Sequence, residues 1–215
     1  MDRAGVVGAD GETHQGLFDL SFLSTIPNIN ILAPKNFFEL EKMLEFGIKL
    51  NKPVIIRYPR GAESEVPFDK TEDIMLGQAE VIQEGKDITI VSIGKMVARA
   101  KEVADLLKGR DIDCEIINAR FLKPIDKETI LKSVQKTKRV VTIEDNLLKA
   151  GLGDAVISLI NESNINDVKV KTFGYNDIFV KHGKVEDLEK LYGLDAKRIS
   201  EYIESAFHRK TDCSV

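Results

Sequence analysis

Residues 2–16 hold the densest set of chemically capable side chains in the 215-residue chain. Aspartate, arginine and histidine are interleaved there with four glycines, which let a backbone turn tightly and approach a ligand closely. Asp10 and His14 are four residues apart, so one helical turn would place them on the same face, and a loop could direct both into one cleft. Because histidine exchanges protons near neutral pH, either arrangement would let the pair take part in proton transfer.

The same spacing also has structural interpretations. Asp10 could cap a short helix that begins near Gly16, and His14 could be a surface histidine whose hydrogen bonds are satisfied. Spacing alone favours this structural interpretation. A metal site is a third alternative, but the carboxylates and the single histidine of this stretch match no standard ligand spacing.

A second group of candidates, residues 57–61 (Arg-Tyr-Pro-Arg-Gly), directly follows a predicted strand. In open α/β sheets, ligands bind at the carboxyl ends of strands. A guanidinium group such as that of Arg60 could hold a phosphate or a carboxylate there through two parallel hydrogen bonds. The alternative is an ordinary ion pair with Glu63 or Glu65, and this motif by itself favours neither interpretation.

The elements that would position these residues predict an α/β fold. Short apolar runs alternate with longer segments of helical period, which is typical of a parallel sheet covered by helices. From Asn36 to Leu50, apolar residues recur at three- and four-residue spacings, as in an amphipathic helix. Later strand-like runs are Ile88–Ile93, Cys114–Asn118, Val140–Glu144 and Val168–Phe173.

A loss of periodic pattern after Gly61 predicts a surface linker between two domains. The first 60 or so residues offer only two or three strands, which are too few for a covered parallel sheet. We therefore expect a truncated chain that begins inside a domain. The expected units are a partial N-terminal domain (1–66), a linker (67–77), a C-terminal domain (78–208) and a frayed tail (209–215).

Composition and charge exclude several classes of protein. The 31 basic and 35 acidic residues give a net charge of -4 without a basic block, which argues against a nucleic-acid partner. The apolar runs are far shorter than the roughly 20 residues of a membrane span, and no secretory signal is present, so we expect a cytoplasmic protein without a membrane partner. Cys114 and Cys213 form no disulfide framework and are predicted to be a buried side chain and a free thiol.

Seven motifs in a fixed order identify a family. They are Asp-Arg-Ala-Gly at 2–5, Gly-Ala-Asp-Gly at 8–11, Thr-His-Gln-Gly at 13–16, Arg-Tyr-Pro-Arg-Gly at 57–61, and the runs at 119–126, 142–146 and 177–183. Together they resemble the 1-deoxy-D-xylulose-5-phosphate synthase family of transketolase-like enzymes over almost the whole chain. Transketolases share the Asp-Gly-x-Thr-His-Gln core and 2-oxoacid dehydrogenase β subunits share the domain plan, but neither carries both arginine motifs.

The resemblance implies a fold and a set of site residues. The fold is the C-terminal part of a transketolase-like pyrimidine-binding domain, followed by a three-layer α/β/α transketolase C-terminal domain with a mostly parallel sheet. Asp10 and His14 match the residues that face the reacting carbon, where they orient the donor and move protons. Arg3 and Arg60 match the arginines that bind the acceptor's phosphate. No residue is assigned to the cofactor or to a metal, and His182 is interpreted as structural.

The resemblance also implies an activity that depends on thiamine diphosphate and Mg²⁺. The full-length transferase would condense pyruvate with D-glyceraldehyde 3-phosphate, with loss of carbon dioxide, to give 1-deoxy-D-xylulose 5-phosphate for isoprenoid, thiamine and pyridoxal phosphate biosynthesis. It would be a homodimer. Because the family's main cofactor-binding regions match nothing in this chain, we expect the chain alone to be inactive.

Two alternatives stand beside this interpretation. A non-catalytic subunit or assembly module of a split transketolase-like enzyme would keep the fold without the chemistry, and the gene sequence upstream of Met1 would distinguish the two. A related transketolase-type enzyme with another donor is disfavoured by the two arginine motifs.

Overall fold

The computed structural model describes residues 1–68 and 73–207, which form two sheets and the helices around them. The N-terminal segment consists of α1 (Asp19–Ser24), β1 (Asn30–Leu32), α2 (Phe37–Leu50) and β2 (Val54–Ile56). The Asn36 side chain caps α2 by accepting a hydrogen bond from the Glu39 amide at 2.8 Å. The helix predicted in this segment is therefore confirmed, but Phe37, Leu44 and Ile48 of its apolar pattern are exposed, and its buried residues are Glu39 and Met43.

The C-terminal segment is built on a five-stranded sheet whose strands alternate with helices. Its elements are β3 (Glu80–Gln83), β4 (Ile88–Ser92), α3 (Met96–Lys108), β5 (Cys114–Asn118), β6 (Phe121–Lys123), α4 (Lys127–Thr137), β7 (Arg139–Leu147), α5 (Leu152–Glu162), β8 (Lys169–Tyr175), α6 (Val185–Leu191) and α7 (Ala196–Phe207). The strand order is β3-β5-β4-β7-β8, in which only β3 is antiparallel to its neighbour. The prediction of a mostly parallel sheet is confirmed.

Helices cover both faces of this sheet and make three layers. Successive side chains of a strand point to opposite faces. Ile90 of β4 packs in one cluster with Val103 of α3 and Ile199 of α7. Val91 of β4 packs in a second cluster with Val134 of α4 and other residues of α4 and α5. Because all five side chains are completely buried, each face contributes its own hydrophobic core, as the three-layer prediction requires.

A smaller, three-stranded sheet joins the two segments, because its third strand comes from the C-terminal segment. The order is β2-β1-β6, with β1 parallel to β2 and antiparallel to β6. Phe121 of β6 is buried in a cluster with Leu32 of β1 and Met43 of α2. The two segments are therefore separate in sequence but share a sheet in space.

A buried polar network also connects the segments. Glu39 of α2 has no exposed surface and accepts hydrogen bonds from Arg120 at 2.8 Å, Asn118 at 3.0 Å and Lys35 at 3.2 Å. Burial opposes ionisation of the nearby Glu80, but the charges of Lys35 and Arg120 hold the pKa of Glu80 below its ordinary value. Loss of one partner would remove hydrogen bonds to charged groups inside the protein, each of which contributes about 1.5–3 kcal/mol.

Several sequence expectations concern single residues or short stretches. Cys114 is buried, as predicted, and burial raises the pKa of its thiol to about 12. Cys213, the predicted tail at 209–215 and residues 69–72 of the predicted linker lie outside the described residues. Over the ranges that the structure describes, no helix is both long enough and apolar enough to cross a membrane.

Candidate active site

Contacts between Gly5 and Gly16 close a loop over residues 5–16. The two glycines exchange backbone hydrogen bonds, each of 2.9 Å. Gly5 has a φ of +73°, and a Cβ on it would lie 2.4 Å from Oδ2 of Asp145. A Cβ on Gly16 would lie 2.2 Å from the Arg3 carbonyl oxygen. The closure of the loop therefore requires glycine at both positions.

The loop and the chain after β2 bring all four predicted site residues to one open depression of about 340 Å³, which is lined by Arg3, Asp10, Thr13, His14 and Arg60. Nη1 of Arg60 donates to both carboxylate oxygens of Asp10, at 2.9 and 3.2 Å. Nε of Arg3 lies 3.8 Å from Oδ2 of Asp10. Nδ1 of the exposed His14 is 2.8 Å from the Thr13 hydroxyl oxygen. One carboxylate contacts both guanidinium groups, so the two are close enough to share an anion.

Two structural alternatives from the sequence are wrong. Asp10 lies in a 3₁₀ turn, Gly8–Asp10, and α1 begins only at Asp19 without a side-chain cap, so Asp10 caps no helix there. Arg60 pairs with Asp10, whereas Glu63 accepts a hydrogen bond from the first backbone N–H of α2. The chain after β2 folds over the loop, which no local pattern reveals. The roles of the four site residues stay predictions.

Arg57 shares a motif with Arg60 but has a different environment. The Arg57 side chain is 1% exposed, against 61% for Arg60. Its Nη1 donates to Oδ1 of Asp145 at 2.6 Å, and its Nη2 donates to the Gly16 carbonyl at 2.7 Å. Burial opposes ionisation of Asp145, but the charges of Arg57 and Lys95 hold the pKa of this carboxyl below its ordinary value of 3.8. Arg57 is thus a buried link between β7 and the loop, which the sequence analysis did not identify.

A turn of the C-terminal segment holds the other side of the loop. Nε2 of Gln15 donates to the carbonyl groups of Val180 at 2.7 Å and Lys181 at 2.9 Å. Its Oε1 accepts a hydrogen bond from the Val7 amide at 3.1 Å. The motif at 177–183 therefore contacts the loop through its backbone, which agrees with a structural interpretation of this turn.

A second cavity, of about 270 Å³, lies between the chain after β2 and the start of α3, and Arg60 borders both spaces. Glu189 accepts hydrogen bonds there from Lys95 at 3.3 Å and Arg99 at 2.7 Å. Arg99 also contacts Glu102 at 2.7 Å, and Lys95 lies 4.0 Å from Asp145, so both cations are paired with carboxylates within the protein.

The side chains of the depression suit an anionic ligand. Two guanidinium groups, a hydroxyl and an imidazole offer hydrogen-bond donors against one carboxylate. A magnesium ion requires several oxygen ligands, and residues 1–68 and 73–207 contain no cluster of three or more His, Cys, Asp or Glu side chains that could hold a metal. The hydrogen-bond donors that line the depression therefore favour a phosphate or a carboxylate as its ligand.

Two family models cover most of the sequence. The transketolase C-terminal domain matches residues 77–199, and the transketolase pyrimidine binding domain matches residues 1–64. Curated proteins named 1-deoxy-D-xylulose-5-phosphate synthase are similar over almost the whole chain. That of Halothermothrix orenii is 46% identical over 202 residues, which cover 94% of this chain and 32% of the relative. That of Clostridium perfringens strain 13 is 48% identical over 201 residues, with 93% and 32% covered. The chain thus spans about a third of the length of these relatives.

Solved structures with the same fold include transketolases. A chain described as a split gene transketolase, inactive beta4 tetramer, superposes with a TM-score of 0.82 at 31% identity, over 91% of this chain and 62% of that chain. A transketolase from Campylobacter jejuni superposes with a TM-score of 0.74 at 19% identity, over 95% of this chain and 30% of that chain. The second likeness concerns the fold alone.

Proposed function

The chain belongs to the transketolase family, and we propose that it is the acceptor-binding part of a 1-deoxy-D-xylulose-5-phosphate synthase. In this proposal the whole enzyme condenses pyruvate with D-glyceraldehyde 3-phosphate, with loss of carbon dioxide, to give 1-deoxy-D-xylulose 5-phosphate. Identities of 46% and 48% to relatives of that name support this branch of the family. A homodimeric, cytoplasmic enzyme that serves isoprenoid, thiamine and pyridoxal phosphate biosynthesis is part of the same proposal.

The contact of Arg3 and Arg60 with a single carboxylate is the observation that carries this proposal. The two guanidinium groups lie 3.8 and 2.9 Å from the same oxygen of Asp10. A phosphate dianion has more charge and more acceptor oxygens than a carboxylate, so it would compete well for both arginines. The acceptor's phosphate would then replace Asp10 as their partner, which leaves Asp10 to accept a hydrogen bond from a substrate hydroxyl.

His14 is proposed to give a proton to the aldehyde oxygen of the acceptor. The ring lines the depression, and the contact between its Nδ1 and the Thr13 hydroxyl orients it. The other ring nitrogen, Nε2, is then the one that serves the substrate. Asp10 and His14 thus act on the reacting end of the acceptor, and the two arginines hold its phosphate.

Thiamine diphosphate, when bound, supplies the electron sink for the decarboxylation of pyruvate. We assign neither its diphosphate nor Mg²⁺ to this chain, because the two arginines of the depression are assigned to the acceptor's phosphate and the described residues offer no group of three or more metal ligands. Other parts of the enzyme are proposed to hold both. The chain alone is therefore expected to be inactive.

The proposal is tested with the full-length enzyme that contains this chain. With thiamine diphosphate, Mg²⁺, pyruvate and D-glyceraldehyde 3-phosphate, it should release one carbon dioxide for each 1-deoxy-D-xylulose 5-phosphate formed. The 215-residue chain in the same mixture should form no product. Turnover with a ketose phosphate in place of pyruvate, without carbon dioxide release, would indicate a transketolase-type reaction with another donor. Turnover by the chain alone would refute its assignment as an incomplete site.

A second candidate is a subunit of a split transketolase-like enzyme. The likeness to a chain described as a split gene transketolase, at 31% identity, favours it. Purification from the native organism distinguishes the two proposals. A subunit would be recovered as a separate polypeptide of about 24.0 kDa in a complex with a second chain, and a part of a synthase would be recovered within one longer polypeptide.

A further inference from the structure

We propose that Asp145, in β7 of the C-terminal segment, is a positioning residue that sets the geometry of the acceptor-binding loop through Arg57. This inference rests on the proposed function, because the loop carries the residues assigned to the acceptor. It gives the C-terminal segment a part in the reaction, although none of the described residues of that segment lines the depression.

The first step is that Arg57 joins Asp145 directly to the closure of the loop. Its Nη1 donates to Oδ1 of Asp145 at 2.6 Å, and its Nη2 donates to the carbonyl of Gly16 at 2.7 Å and to the carbonyl of Asp145 at 3.0 Å. A planar guanidinium fork that makes these contacts together has little freedom to rotate. The position of Gly16 is therefore tied to that of Asp145.

The second step is that Asp145 also packs against Gly5 at the other end of the loop. A Cβ on Gly5 would come within 2.4 Å of Oδ2 of Asp145, so the carboxylate fills the space beside this glycine. Gly5 and Gly16 are hydrogen-bonded to each other in both directions. One carboxylate group thus fixes both ends of a loop of which Asp10 and His14 are part.

The third step is that the pair is rigid and shielded from water. The side chains of Arg57 and Asp145 are 1% and 2% exposed. Hydrogen bonds between ionised groups are the stronger ones, and removal from water strengthens them further. The two arginines assigned to the acceptor's phosphate are connected to this pair through the backbone. The Gly16 amide donates to the Arg3 carbonyl, and Arg60 lies three residues after Arg57. If the Arg57–Asp145 pair moved the loop by about 1 Å, the rate would fall by up to about 100-fold, because catalysis depends on the alignment of the reacting groups.

The test compares Asp145→Asn with Glu144→Gln in the full-length enzyme. Glu144 is the preceding residue of the same strand, is also fully buried, and bonds the start of α5 instead of the loop. For each variant, kcat/KM per folded enzyme is measured with D-glyceraldehyde 3-phosphate and with unphosphorylated D-glyceraldehyde. Asp145→Asn should lower kcat/KM for both acceptors and lower the preference for the phosphorylated one by about 10-fold or more. Glu144→Gln should keep that preference.

If Asp145→Asn does not fold, Arg57→Lys takes its place, because a lysine keeps the charge but cannot reach Asp145 and Gly16 in the same fork geometry. Arg57→Lys should then show the same loss of preference. A variant that keeps wild-type activity and preference per folded molecule, with only its melting temperature lowered, would overturn the inference and leave the pair a purely structural link.

A second measurement separates this inference from the proposed function. In the 215-residue chain, Asp145→Asn should raise the hydrogen-exchange rates of the Gly5 and Gly16 amides about 10-fold or more above those in Glu144→Gln. If the full-length enzyme forms no deoxyxylulose phosphate but these amides respond, the function is wrong and the positioning contact stands. If exchange rises equally throughout the chain, the positioning inference is wrong.

Discussion

The guanidinium group of Arg60 donates to both carboxylate oxygens of Asp10, at 2.9 and 3.2 Å, across 50 positions of sequence. The Asp10 side chain is 23% exposed and that of Arg60 is 61% exposed, so solvent screens the pair and the cost of separating it is small. Asp10 therefore competes with any anion that enters the depression, but a phosphate can displace it.

This competition predicts the behaviour of Asp10→Asn. An exposed ion pair contributes about 0.2–1 kcal/mol, so removal of the charge should tighten the binding of inorganic phosphate to the chain by roughly 1.4- to fivefold. Calorimetric titration at low ionic strength measures this change. Asp105→Asn, which removes a carboxylate from a surface pair with Lys101, is the matched control and should leave phosphate binding unchanged. Unchanged or weaker binding to Asp10→Asn would show that Asp10 does not occupy the anion site.

The proposed proton transfer predicts a large effect of His14→Gln in the full-length enzyme. A positioned general acid contributes typically about 10²–10⁴-fold to the rate, so kcat should fall by a factor in that range, with a smaller change in KM for the acceptor. Steady-state kinetics measures both. His182→Gln, in the turn that contacts the loop through its backbone, is the control and should change kcat by less than a few-fold. Equal effects of the two substitutions would remove His14 from the proposed chemistry.

Glu144 predicts a dependence of stability on pH. Burial raises the pKa of its carboxyl to about 8, although the amides of Gly153 and Leu152 oppose the shift. Between its ordinary value of 4.5 and about 8, the folded chain therefore binds more protons than the unfolded chain. The stabilisation that comes from this extra proton is complete below this window and is lost as pH rises through it. The free energy of unfolding then falls by at most about 1.4 kcal/mol per pH unit.

Urea unfolding of wild type, Glu144→Gln and the surface control Glu204→Gln at several values between pH 5 and pH 8 measures this slope. The free energy of unfolding of wild type and Glu204→Gln should fall with pH by similar amounts. Glu144→Gln should show a flatter profile, because glutamine does not titrate. An identical slope in all three proteins would contradict the assignment.

The Glu39 network predicts a loss of stability. Glu39→Gln removes the buried carboxylate that Lys35 and Arg120 share, and leaves Glu80 to compensate their charges. A hydrogen bond to a charged group contributes about 1.5–3 kcal/mol, so the free energy of unfolding should fall by roughly that amount. Glu204→Gln, which breaks the exposed pair with Arg110, should cost less than about 1 kcal/mol. Urea unfolding of both variants at one pH makes the comparison. Equal, small losses would indicate that the network does not hold the two segments together.

A helix or strand could be predicted wherever a local sequence pattern identified it. The apolar runs of β4, β5 and β7 identified these strands because they are buried. The helical period identified α2, although Phe37, Leu44 and Ile48 of that period are exposed. Strands β3 and β6 were missed, since each is four residues or fewer and is stabilised by a distant partner. No window of sequence shows that β6 adds to the sheet of the N-terminal segment.

The candidate site was predictable in part. Arg3, Asp10, His14 and Arg60 lie around one depression, and their motifs identified them through resemblance, since spacing alone favoured a structural Asp10. Arg57 and Asp145 are 88 residues apart, so their contact is not visible in any local pattern. The position of Arg57 directly after β2 was the available signal, because an arginine that points inward there requires a buried partner.

The selectivity of the full-length enzyme for a phosphorylated acceptor tests the central claim most directly. In Arg3→Met and in Arg60→Met, kcat/KM for D-glyceraldehyde 3-phosphate should fall by about 10- to 100-fold, since each charge-assisted hydrogen bond contributes about 1.5–3 kcal/mol. The value for unphosphorylated D-glyceraldehyde should change by less than about threefold, because that acceptor makes no such bond. Parallel losses for both acceptors, or an unchanged preference for the phosphate, would contradict the assignment of these two arginines to the acceptor's phosphate.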